Sequence, residues 1–534
     1  MKTNTNIIYP ALALLVFACF AASATAQFCV GSGTWLQSPV DGEWGRCENW
    51  TTQNVPNGPG DVATFSASSV TTINGGYGLP TLDSLVFDSS AGSFTITQEL
   101  KFVGAGVFNN SSATQYIPGG GPALFYNSAT ASGSGGTVVY PEGAEFFNTA
   151  TAANAIFPNG FANFNDNSSA GTGTFTMLRS ISDFFGSSTA ANGVFTCNGD
   201  TVTPPSPGAV IFYDNSNAGN GTFTANGATV VDGGGGHVDF WGTSSGANAT
   251  LIANGGVTDA DAGHITFANG SSGLPSGGFA RVEVFDNGYL EINAAGTTGI
   301  AIGSLEGTGK VNLDNGPSTG STLMVGSNNL STTFSGVIQD SAFPGGSLAK
   351  IGTGTLTLSG ANTYTGGTTI ESGTLLAAAT GGSATGPGTV SVNGGTFGGT
   401  GRISGAIIVG TGTGSGSVLA PGINGPGVLG ARKTLTFSAD STYSCEVATR
   451  NRRSDQVSAK GVTINNGATF TFVSIGNRAI PSGTVFTVIN NTAATPISGT
   501  FGDLADASTF TVGPNTYLVN YEGGTGNDLT LTVQ

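Results

Sequence analysis

A hexapeptide pattern returns at a fixed spacing in the middle of the chain. Residues 194–199 read Val-Phe-Thr-Cys-Asn-Gly, residues 222–227 read Thr-Phe-Thr-Ala-Asn-Gly, and residues 250–255 read Thr-Leu-Ile-Ala-Asn-Gly, so the two offsets between them are equal. The preceding segments follow the same offset, because Ile-Phe-Tyr at 211–213 becomes Asp-Phe-Trp at 239–241. A spacing kept by two independent segments indicates a structural unit that repeats along the chain.

The spacing is close to constant without being rigid. Gly236-His237 recurs as Gly263-His264 at an offset shorter by one position, whereas upstream the match of Phe125 with Phe146 has a clearly shorter offset. Repeats of this length, each with short alternating strands and Gly/Asn turns, are typical of a solenoid whose stacked turns share one core. We therefore predict an all-β fold, a parallel β-helix (solenoid) with an N-terminal cap and a C-terminal β domain. With about 25 residues per coil and about 4.8 Å per stacked strand, residues 27–430 would extend over roughly 75 Å.

The repeat also predicts which side chains face the interior. Phe195, Phe223 and Leu251 occupy equivalent positions, and a small residue lies two places after each of them. Because side chains alternate along a strand, each large apolar residue and the small residue after it share a face. We predict that this face points inward and that the intervening Thr224 points to solvent.

The composition agrees with a turn-rich β protein. Gly accounts for 88 of 534 residues and charged residues for 9%, against about 7% Gly and about 25% charged residues in an ordinary domain. So much Gly excludes a large helical protein, and 33 Phe residues exclude simple disorder. With 15 basic and 31 acidic residues the net charge is −16. We expect no nucleic-acid binding, because phosphate backbones require clustered cations.

The segment 1–26 has the layout of a secretory signal peptide. Lys2 supplies the positive start, residues 11–22 are apolar but short, and Ala-Thr-Ala at 24–26 precedes Gln27 as a cleavage pattern. Lipidation at Cys19 is the alternative. No later stretch reaches about 18 consecutive apolar residues. We expect a secreted or cell-surface protein without a transmembrane segment in the mature chain.

The cysteines fall into two groups. Cys29 and Cys47 are close in sequence and flank a Trp-containing loop, so we predict a disulfide between them, which export permits. Cys197 takes the position that Ala225 fills one repeat later, and Cys445 belongs to the apolar side of an alternating strand. We predict that both are buried free thiols.

One segment carries a resemblance to a known family. Residues 350–376 alternate short strands with Asn/Gly corners, and they closely resemble the autotransporter-associated β-strand repeat of secreted and surface bacterial proteins. Residues 49–65 and 523–529 resemble the same family. The resemblance implies an elongated extracellular β-helix that serves as an adhesive or structural passenger. A self-transporting member would end in an outer-membrane barrel. The Arg-Asn-Arg-Arg cluster at 450–453 suits no lipid face, so we expect no C-terminal translocator barrel.

The charge distribution suggests a division of the mature chain. Residues 27–431 contain 7 basic and 24 acidic residues, whereas residues 432–478 contain 7 basic and 3 acidic residues. Such an asymmetry is a common sign of separate units. We predict four segments: a signal peptide (1–26), an N-terminal cap with the first coils (27–100), β-helix repeats (101–430) and a C-terminal β-rich domain (431–534).

The strongest local grouping of catalytic residue types lies around residue 260. Asp259, Asp261 and His264 are followed one repeat later by Arg281 and Glu283. A polysaccharide lyase needs carboxylates for a cation and a side chain that abstracts a proton, and a glycoside hydrolase needs two facing carboxylates. The alternative is a solvated outer face with an ion pair between coils, since residues two apart on a strand share a face.

Two further patterns raise the question of a metal. The repeat stacks His237 and His264 on adjacent turns, where Asp239 and Asp261 could complete a metal site. A surface ladder of stacked imidazoles is the alternative. The segment that ends in Asp528 resembles one calcium-binding β-roll repeat, with a tight turn into the last strand as the alternative. We expect no cofactor, and Ca²⁺ is the ion that the segment ending in Asp528 would favour if one bound.

The tryptophans near the N-terminus also allow two interpretations. Trp35, Trp44 and Trp50 lie within a short stretch beside the predicted disulfide. Their rings could form a sugar-stacking surface. Their position next to Cys29 and Cys47 favours a cap over the first coil instead.

These patterns favour an exported, non-enzymatic β-helix that acts in adhesion, surface structure or extracellular matrix contact. Rows of Thr, Ser and Asn on a long rigid surface would form hydrogen bonds with extracellular polysaccharide or with further copies of the protein. The alternative is an extracellular polysaccharide lyase or glycoside hydrolase on a β-helix scaffold, with Asp259, Asp261, Arg281 and Glu283 as its candidate catalytic residues.

Overall fold

The computed structural model describes residues 29–534 apart from 76–77, 134, 203–204, 271–272, 295–298, 315–319 and 415. The predicted signal peptide lies outside the described residues. The described residues form short strands and a single 3₁₀ turn, Cys47–Asn49. No helix among them is long and apolar enough to cross a membrane.

The first side of the stack, sheet 1, is a fourteen-stranded sheet in which every pair of neighbours is parallel. Each strand is followed in the sheet by the corresponding strand of the next coil. In order across the sheet, its strands are Gly33–Thr34, Val62–Phe65, Thr81–Phe87, Lys101–Asn109, Ala123–Phe125, Ala144–Phe146, Ala162–Phe164, Ile181–Phe184, Ala209–Phe212, His237–Phe240, His264–Ala268, Tyr289–Asn293, Lys310–Asp314 and Val337–Asp340.

The second side, sheet 2, runs the whole length of the stack and is also parallel, apart from the short strand Arg453–Ser454, which pairs antiparallel with Ser441–Ala448. Its parallel strands are Thr72–Ile73, Thr95–Ile96, Gln115–Tyr116, Val138–Val139, Ile156–Pro158, Thr174–Met177, Val194–Cys197, Thr222–Ala225, Thr250–Ala253, Arg281–Val284, Ser304–Gly307, Thr332–Phe334, Thr355–Leu358, Thr374–Ala377, Gly395–Gly399, Ser417–Pro421, Ser441–Ala448 and Thr469–Ile475.

Two further sheets complete the later coils. Sheet 3 contains Ile300–Ile302, Thr322–Val325, Ser347–Lys350, Gly367–Ile370, Val390–Val392, Ile407–Val409, Leu435–Phe437 and Val462–Ile464. Sheet 4 starts parallel and ends antiparallel. Its strands, in order across the sheet, are Arg402–Ile403, Val428–Ala431, Gln456–Ala459, Val485–Asn491, Asp528–Val533, Asn515–Gly523 and Thr509–Val512.

Each coil of the earlier part has three sides. Between its strand in sheet 1 and its strand in sheet 2, the chain makes one isolated parallel bridge to the next coil, as at Asn217–Ser245 and Ser245–Ser276. From Ile300 onward, a strand of sheet 3 takes the position of this bridge, before the strand of sheet 2. The predicted parallel β-helix is therefore confirmed. Sheets 2, 3 and 4 run across residue 430 without interruption, and the division at 430/431 stays a prediction.

The register matches the repeat that the sequence displays. Phe195 pairs with Phe223, and Phe223 pairs with Leu251. All three side chains are fully buried, as are the small residues two places after them. Thr224 on the intervening position is half-buried on the outer face. The predicted inward and outward faces are confirmed.

Stacked phenylalanines fill the interior. The rings of Phe175 and Phe195 lie 4.4 Å apart between centroids and the rings of Phe195 and Phe223 lie 4.7 Å apart, all nearly parallel. The ring of Phe212 on sheet 1 meets Phe223 edge-on at 5.6 Å. Parallel stacking within a side and edge contacts between sides are both favourable ring arrangements, and together they form the narrow core.

Asparagine ladders fix the corners of the coils. The side chains of Asn198, Asn226 and Asn254 form a chain of amide hydrogen bonds in which each Nδ2 donates to the Oδ1 of the preceding coil, over 3.0 and 2.9 Å. Each rung satisfies polar groups that a corner would otherwise leave without a partner. The ladder explains why the repeat ends in Asn-Gly on three successive coils.

The first coil is closed by three tryptophans. Trp35, Trp44 and Trp50 are at most 1% exposed, and Trp50 meets both of the others at 5.1 Å between ring centroids. The indole N–H of Trp50 donates to the carbonyl of Trp44 over 2.9 Å. A disulfide joins Cys29 and Cys47, whose Cα atoms are 6.1 Å apart, beside this cluster. The tryptophans therefore cap the coil, and they expose no ring face to a sugar.

Candidate functional site

The structure separates the residues that the sequence grouped around residue 260. His264 begins a strand of sheet 1, whereas Arg281 and Glu283 lie on a strand of sheet 2. Asp259 and Asp261 are exposed in the connection that precedes His264. Sharing a repeat does not place these side chains on one surface, because the chain turns corners between the two strands.

The guanidinium group of Arg281 has two carboxylate partners. Its Nε lies 3.1 Å from Glu283 on the same strand and 2.5 Å from Glu306 on the next coil. The hydrogen bond with Glu306, together with the charges of both glutamates, raises the pKa of Arg281 above its ordinary value. These contacts form an ion pair between coils on the outer face of sheet 2.

A different set of side chains converges on the outer face of sheet 1. The register places Glu145, Asp183, Asp239 and Glu291 in one line across this face, with an uncharged residue on the coils between. We call these four residues the carboxylate row. Their side chains point outward because the neighbouring positions on each strand, such as Phe240, fill the core.

The middle of the carboxylate row is short of hydrogen-bond partners. One oxygen of Asp183 and one oxygen of Asp239 are buried and accept no hydrogen bond from the described residues. Burial raises the pKa of Asp183, and it raises the pKa of Asp239 against the opposing influence of His237 and Thr266. Burial, then the charges of Asp314 and Asp239, raise the pKa of Glu291. These carboxyl groups therefore hold a proton at a higher pH than exposed carboxyl groups do.

A stack of three rings runs beside the carboxylate row. The imidazoles of His237 and His264 are 5.1 Å apart between centroids, and the ring of Tyr289 follows at 4.7 Å. The Nε2 of His237 lies 3.7 Å from a carboxylate oxygen of Asp239. Burial raises the pKa of Tyr289 to about 12, with Glu291, Asp261 and Asp239 adding to the effect. The histidines form the ladder that the sequence offered as one of two interpretations.

Potential metal ligands do not gather around this stack. The described residues contain no group of three or more His, Cys, Asp and Glu side chains placed to hold a metal ion. Asp528, the other candidate, lies just after a turn, where its Oδ1 accepts a hydrogen bond from the backbone N–H of Asn491 over 2.9 Å. The segment from Gly523 to Asp528 forms a turn between two antiparallel strands.

Aromatic side chains form a second line on the same face of sheet 1. One place after the buried phenylalanines of successive strands, the register aligns Tyr126, Phe147, Phe185, Tyr213 and Trp241. We call these five residues the aromatic row. The four rings that precede Trp241 are half-buried, and Trp241 is 37% exposed. The row could have been predicted from the sequence repeat, since each of these residues directly follows an aligned phenylalanine.

The aromatic row is interrupted at Asn165. Tyr126 stacks on Phe147 at 4.6 Å, and Phe185 stacks on Tyr213 at 5.0 Å, with ring planes within 8° and 4° of parallel. Between the two pairs lies Asn165, whose Nδ2 donates to the carbonyl of Phe146 over 3.2 Å. Phe147 and Phe185 are therefore two strand spacings apart, roughly 9–10 Å, with the half-buried side chain of Asn165 between them. We call this interruption of the row the aromatic slot; Phe147, Asn165 and Phe185 define it.

A separate cavity of about 350 Å³ lies on the outer face of sheet 2, bordered by Glu446 and Asp455. Burial raises the pKa of Asp455 to about 7. Its two oxygens accept the backbone N–H groups of Gly427 and Glu446, each over 2.8 Å. This carboxyl group therefore holds two segments of backbone together.

Comparison with known proteins gives one match. Residues 348–377 match the family described as passenger-associated-transport-repeat. No curated protein matches the chain. The matched residues form two pairs of strands, Ser347–Lys350 with Gly367–Ile370 in sheet 3 and Thr355–Leu358 with Thr374–Ala377 in sheet 2. The chain is an all-β protein of stacked parallel coils that carries autotransporter passenger-like repeats, as the segment around residues 350–376 predicted.

Proposed function

We propose that the protein is an exported, passenger-type β-helix that binds a polysaccharide along the outer face of sheet 1. A passenger-like repeat is typical of exported or surface proteins. The observation that carries the binding proposal is the aromatic slot beside the carboxylate row. Sugar rings pack their C–H faces on aromatic rings and use their hydroxyl groups as hydrogen-bond donors.

The groups beside the slot suit a hydroxyl-rich ligand. The register places Asn163 and Asp183 next to the slot, and both side chains are partly exposed. The ring faces of Phe147 and Phe185 would hold the sugar ring, and the amide of Asn163 and the carboxylate of Asp183 would form hydrogen bonds with its hydroxyl groups.

The charge of the surface selects among polysaccharides. The part of the chain that forms most of the coils, residues 27–431, contains 24 acidic and 7 basic residues. A polyanion would be repelled by this surface, more strongly at low salt. We therefore expect a neutral polysaccharide or one that contains amino sugars.

Binding can be measured with the mature protein on insoluble cellulose and chitin, with soluble polygalacturonate as the acidic comparison. We expect retention on at least one of the first two and none on polygalacturonate. Phe185→Ala should lower the affinity at least tenfold, because it removes one wall of the slot. Phe279→Ala is the matched control, since Phe279 is 56% exposed and lies outside sheet 1. Equal binding by both variants would refute the assignment of the slot.

The carboxylate row supports glycoside hydrolysis as a second candidate function. Asp183 and Asp239 each have a buried oxygen that no described residue bonds, and they lie two coils apart, roughly 9–10 Å. The carboxyl groups of inverting glycosidases are about 6.5–9.5 Å apart, and one of them keeps a raised pKa. Release of new reducing ends that Asp239→Asn abolishes would favour this candidate. Retention of the polysaccharide without release favours the binding protein.

A further inference from the structure

The last strand of sheet 2 has an open edge. Thr469–Ile475 pairs with Ser441–Ala448 on one side only. On the other side the carbonyl of Ala468 accepts the N–H of Gly502, and the N–H of Phe470 donates to Asp503 Oδ1, each over 2.8 Å. Peptide groups alternate in direction along a strand, so the N–H and C=O groups of Phe472 and Ser474 point to the same side as those of Phe470. No described residue forms a hydrogen bond with them on that side.

The open edge borders an apolar groove. A cavity of about 470 Å³, the end groove, lies between Phe470 and Phe472 on one wall and Leu504, Ala505 and Phe510 on the other. Phe472 faces the interior, yet it stays half-exposed because no further coil covers it. Val473 and Ile475 are 36% and 39% exposed on the outer side of the same strand.

The strand itself carries none of the usual protection against pairing, and Asp503 covers only its N-terminal part, at Phe470. Exposed edge strands in natural proteins carry charges, Pro or bulges that prevent association with another strand. Residues 469–475 read Thr-Phe-Thr-Phe-Val-Ser-Ile, without a charge, Pro or Gly. An uncharged, alternating edge of this kind is a template for strand addition.

The opposite end of sheet 2 cannot supply the added strand. The outer edge of Thr72–Ile73 is covered by the segment around Glu43, which bridges to Asn74. Backbone hydrogen bonds join Asn74 to Gly42 over 2.7 Å and Trp44 to Asn74 over 3.2 Å. Since this end is covered, we do not expect the open edge of one copy to pair with the first strand of sheet 2 in another copy.

The charges beside the open edge favour antiparallel pairing. Asp503 is exposed at the N-terminal part of the strand, where it bonds Phe470. Arg478 is exposed just after the C-terminal end, where its N–H donates to Thr449 Oγ1 over 3.1 Å. In an antiparallel pair of two copies, Asp503 of each copy lies at the end that carries Arg478 of the other.

From this geometry we propose that two copies of the chain pair through Thr469–Ile475 as antiparallel edge strands, related by a two-fold axis. The pairing satisfies the backbone groups of Phe472 and Ser474 in both copies and covers both end grooves. It joins two rods end to end, which doubles the number of outer faces of sheet 1 in one assembly. The inference is independent of the proposed polysaccharide binding.

Sedimentation velocity of the mature protein over a range of concentrations tests the proposal. We expect a reversible monomer–dimer equilibrium. Ser474→Pro removes an N–H that would donate across the dimer and that no described residue accepts in the monomer. Val473→Lys places two like charges across the two-fold axis. Each variant should raise the dissociation constant of the dimer at least tenfold. Arg478→Glu should weaken the dimer at low salt and have less effect at high salt, because salt screens exposed charges.

Val428→Lys is the matched control, since Val428 is 50% exposed on a strand that is paired on both sides. It should leave the dimer intact, and the thermal midpoints of Val473→Lys and Val428→Lys should agree. A monomer at every concentration, a dimer that persists in both edge variants, or a dimer lost equally in Val428→Lys would each overturn the proposal.

Discussion

The imidazole rings of His237 and His264 lie nearly parallel, 5.1 Å apart between centroids and 9° apart in plane. The relationship follows from the register, which pairs the two residues directly on neighbouring coils. Burial and the adjacent His237 lower the pKa of His264 to about 4. Protonation of both stacked imidazoles is energetically unfavourable, because like charges at this distance repel.

The first prediction concerns acid stability. Between pH 6.5 and pH 4 the unfolded chain protonates His264, whereas the folded chain keeps it neutral. We therefore expect the contribution of this residue to the free energy of unfolding to fall as the pH drops through this range, by roughly 3 kcal/mol in total. His264→Gln should remove that slope in urea unfolding measured from pH 4 to pH 7.

The neighbouring carboxyl groups also change the pH dependence of the free energy of unfolding, so the pKa of His264 must be measured directly. Asp239, Asp261 and Glu291 face the ring stack, and the raised pKa values of Asp239 and Glu291 act in the opposite direction. The chain has two histidines, so an NMR titration with His237→Gln for assignment isolates His264. An ordinary pKa near 6.5 for His264 would contradict the prediction.

The second prediction tests the inward and outward faces. Phe223→Ala should cost about 3–5 kcal/mol, because it empties a stacked position of the core. Ala225→Arg should prevent normal folding, since it buries an unpaired charge. Thr224→Lys should stay within about 0.5 kcal/mol of the wild type. The free energies of urea unfolding would refute the face assignment if Thr224→Lys were the most damaging of the three.

The third prediction concerns the cysteines. Non-reducing peptide mass spectrometry should find Cys29 linked to Cys47, a bond between positions 18 apart in sequence that contributes about 3 kcal/mol in the chain-entropy model. Cys197 and Cys445 are buried, and burial raises the pKa of both thiols. Iodoacetamide should label them only after denaturation. A Cys197–Cys445 bridge is incompatible with the coil register.

The fourth prediction concerns a buried lysine in the repeat that matches the passenger family. Lys350 is 1% exposed, and its ammonium group donates to the carbonyls of Ile351, Gly352 and Ser372 over 2.6, 3.1 and 3.4 Å. Lys350→Met leaves these carbonyls without their donor, so we expect a loss of about 1–3 kcal/mol in the free energy of unfolding.

Its matched control is Lys310→Met on an exposed position, which should change stability by less than about 0.5 kcal/mol. Burial also lowers the pKa of Lys350 to about 8. Between pH 8 and pH 10.5 the unfolded chain therefore holds more protons, and stability should rise with pH in the wild type. A flat wild-type profile, or equal losses in the two variants, would count against the prediction.

The sequence by itself determined the fold class and the direction of the repeating side chains. Residues one coil apart stack on each other in a solenoid, so the equal spacing of Phe195, Phe223 and Leu251 predicted that they pair. The alternation of large and small residues then indicated the inward face, because only one face of each strand borders the narrow core. Local spacing was sufficient here since neighbouring coils are the main contacts of each strand.

Only the tertiary structure decided which outward residues share a surface. His264 and Arg281 belong to the same repeat, yet the chain turns corners between them and places them on different sheets. Asp183 and Asp239 are far apart in sequence and lie two coils apart on one face. The physical reason is that coil lengths vary: the aligned pair Phe146 and Phe164 is much closer in sequence than the aligned pair Phe212 and Phe240. Spacing along the chain therefore does not fix the position around the coil, which depends on where each corner falls.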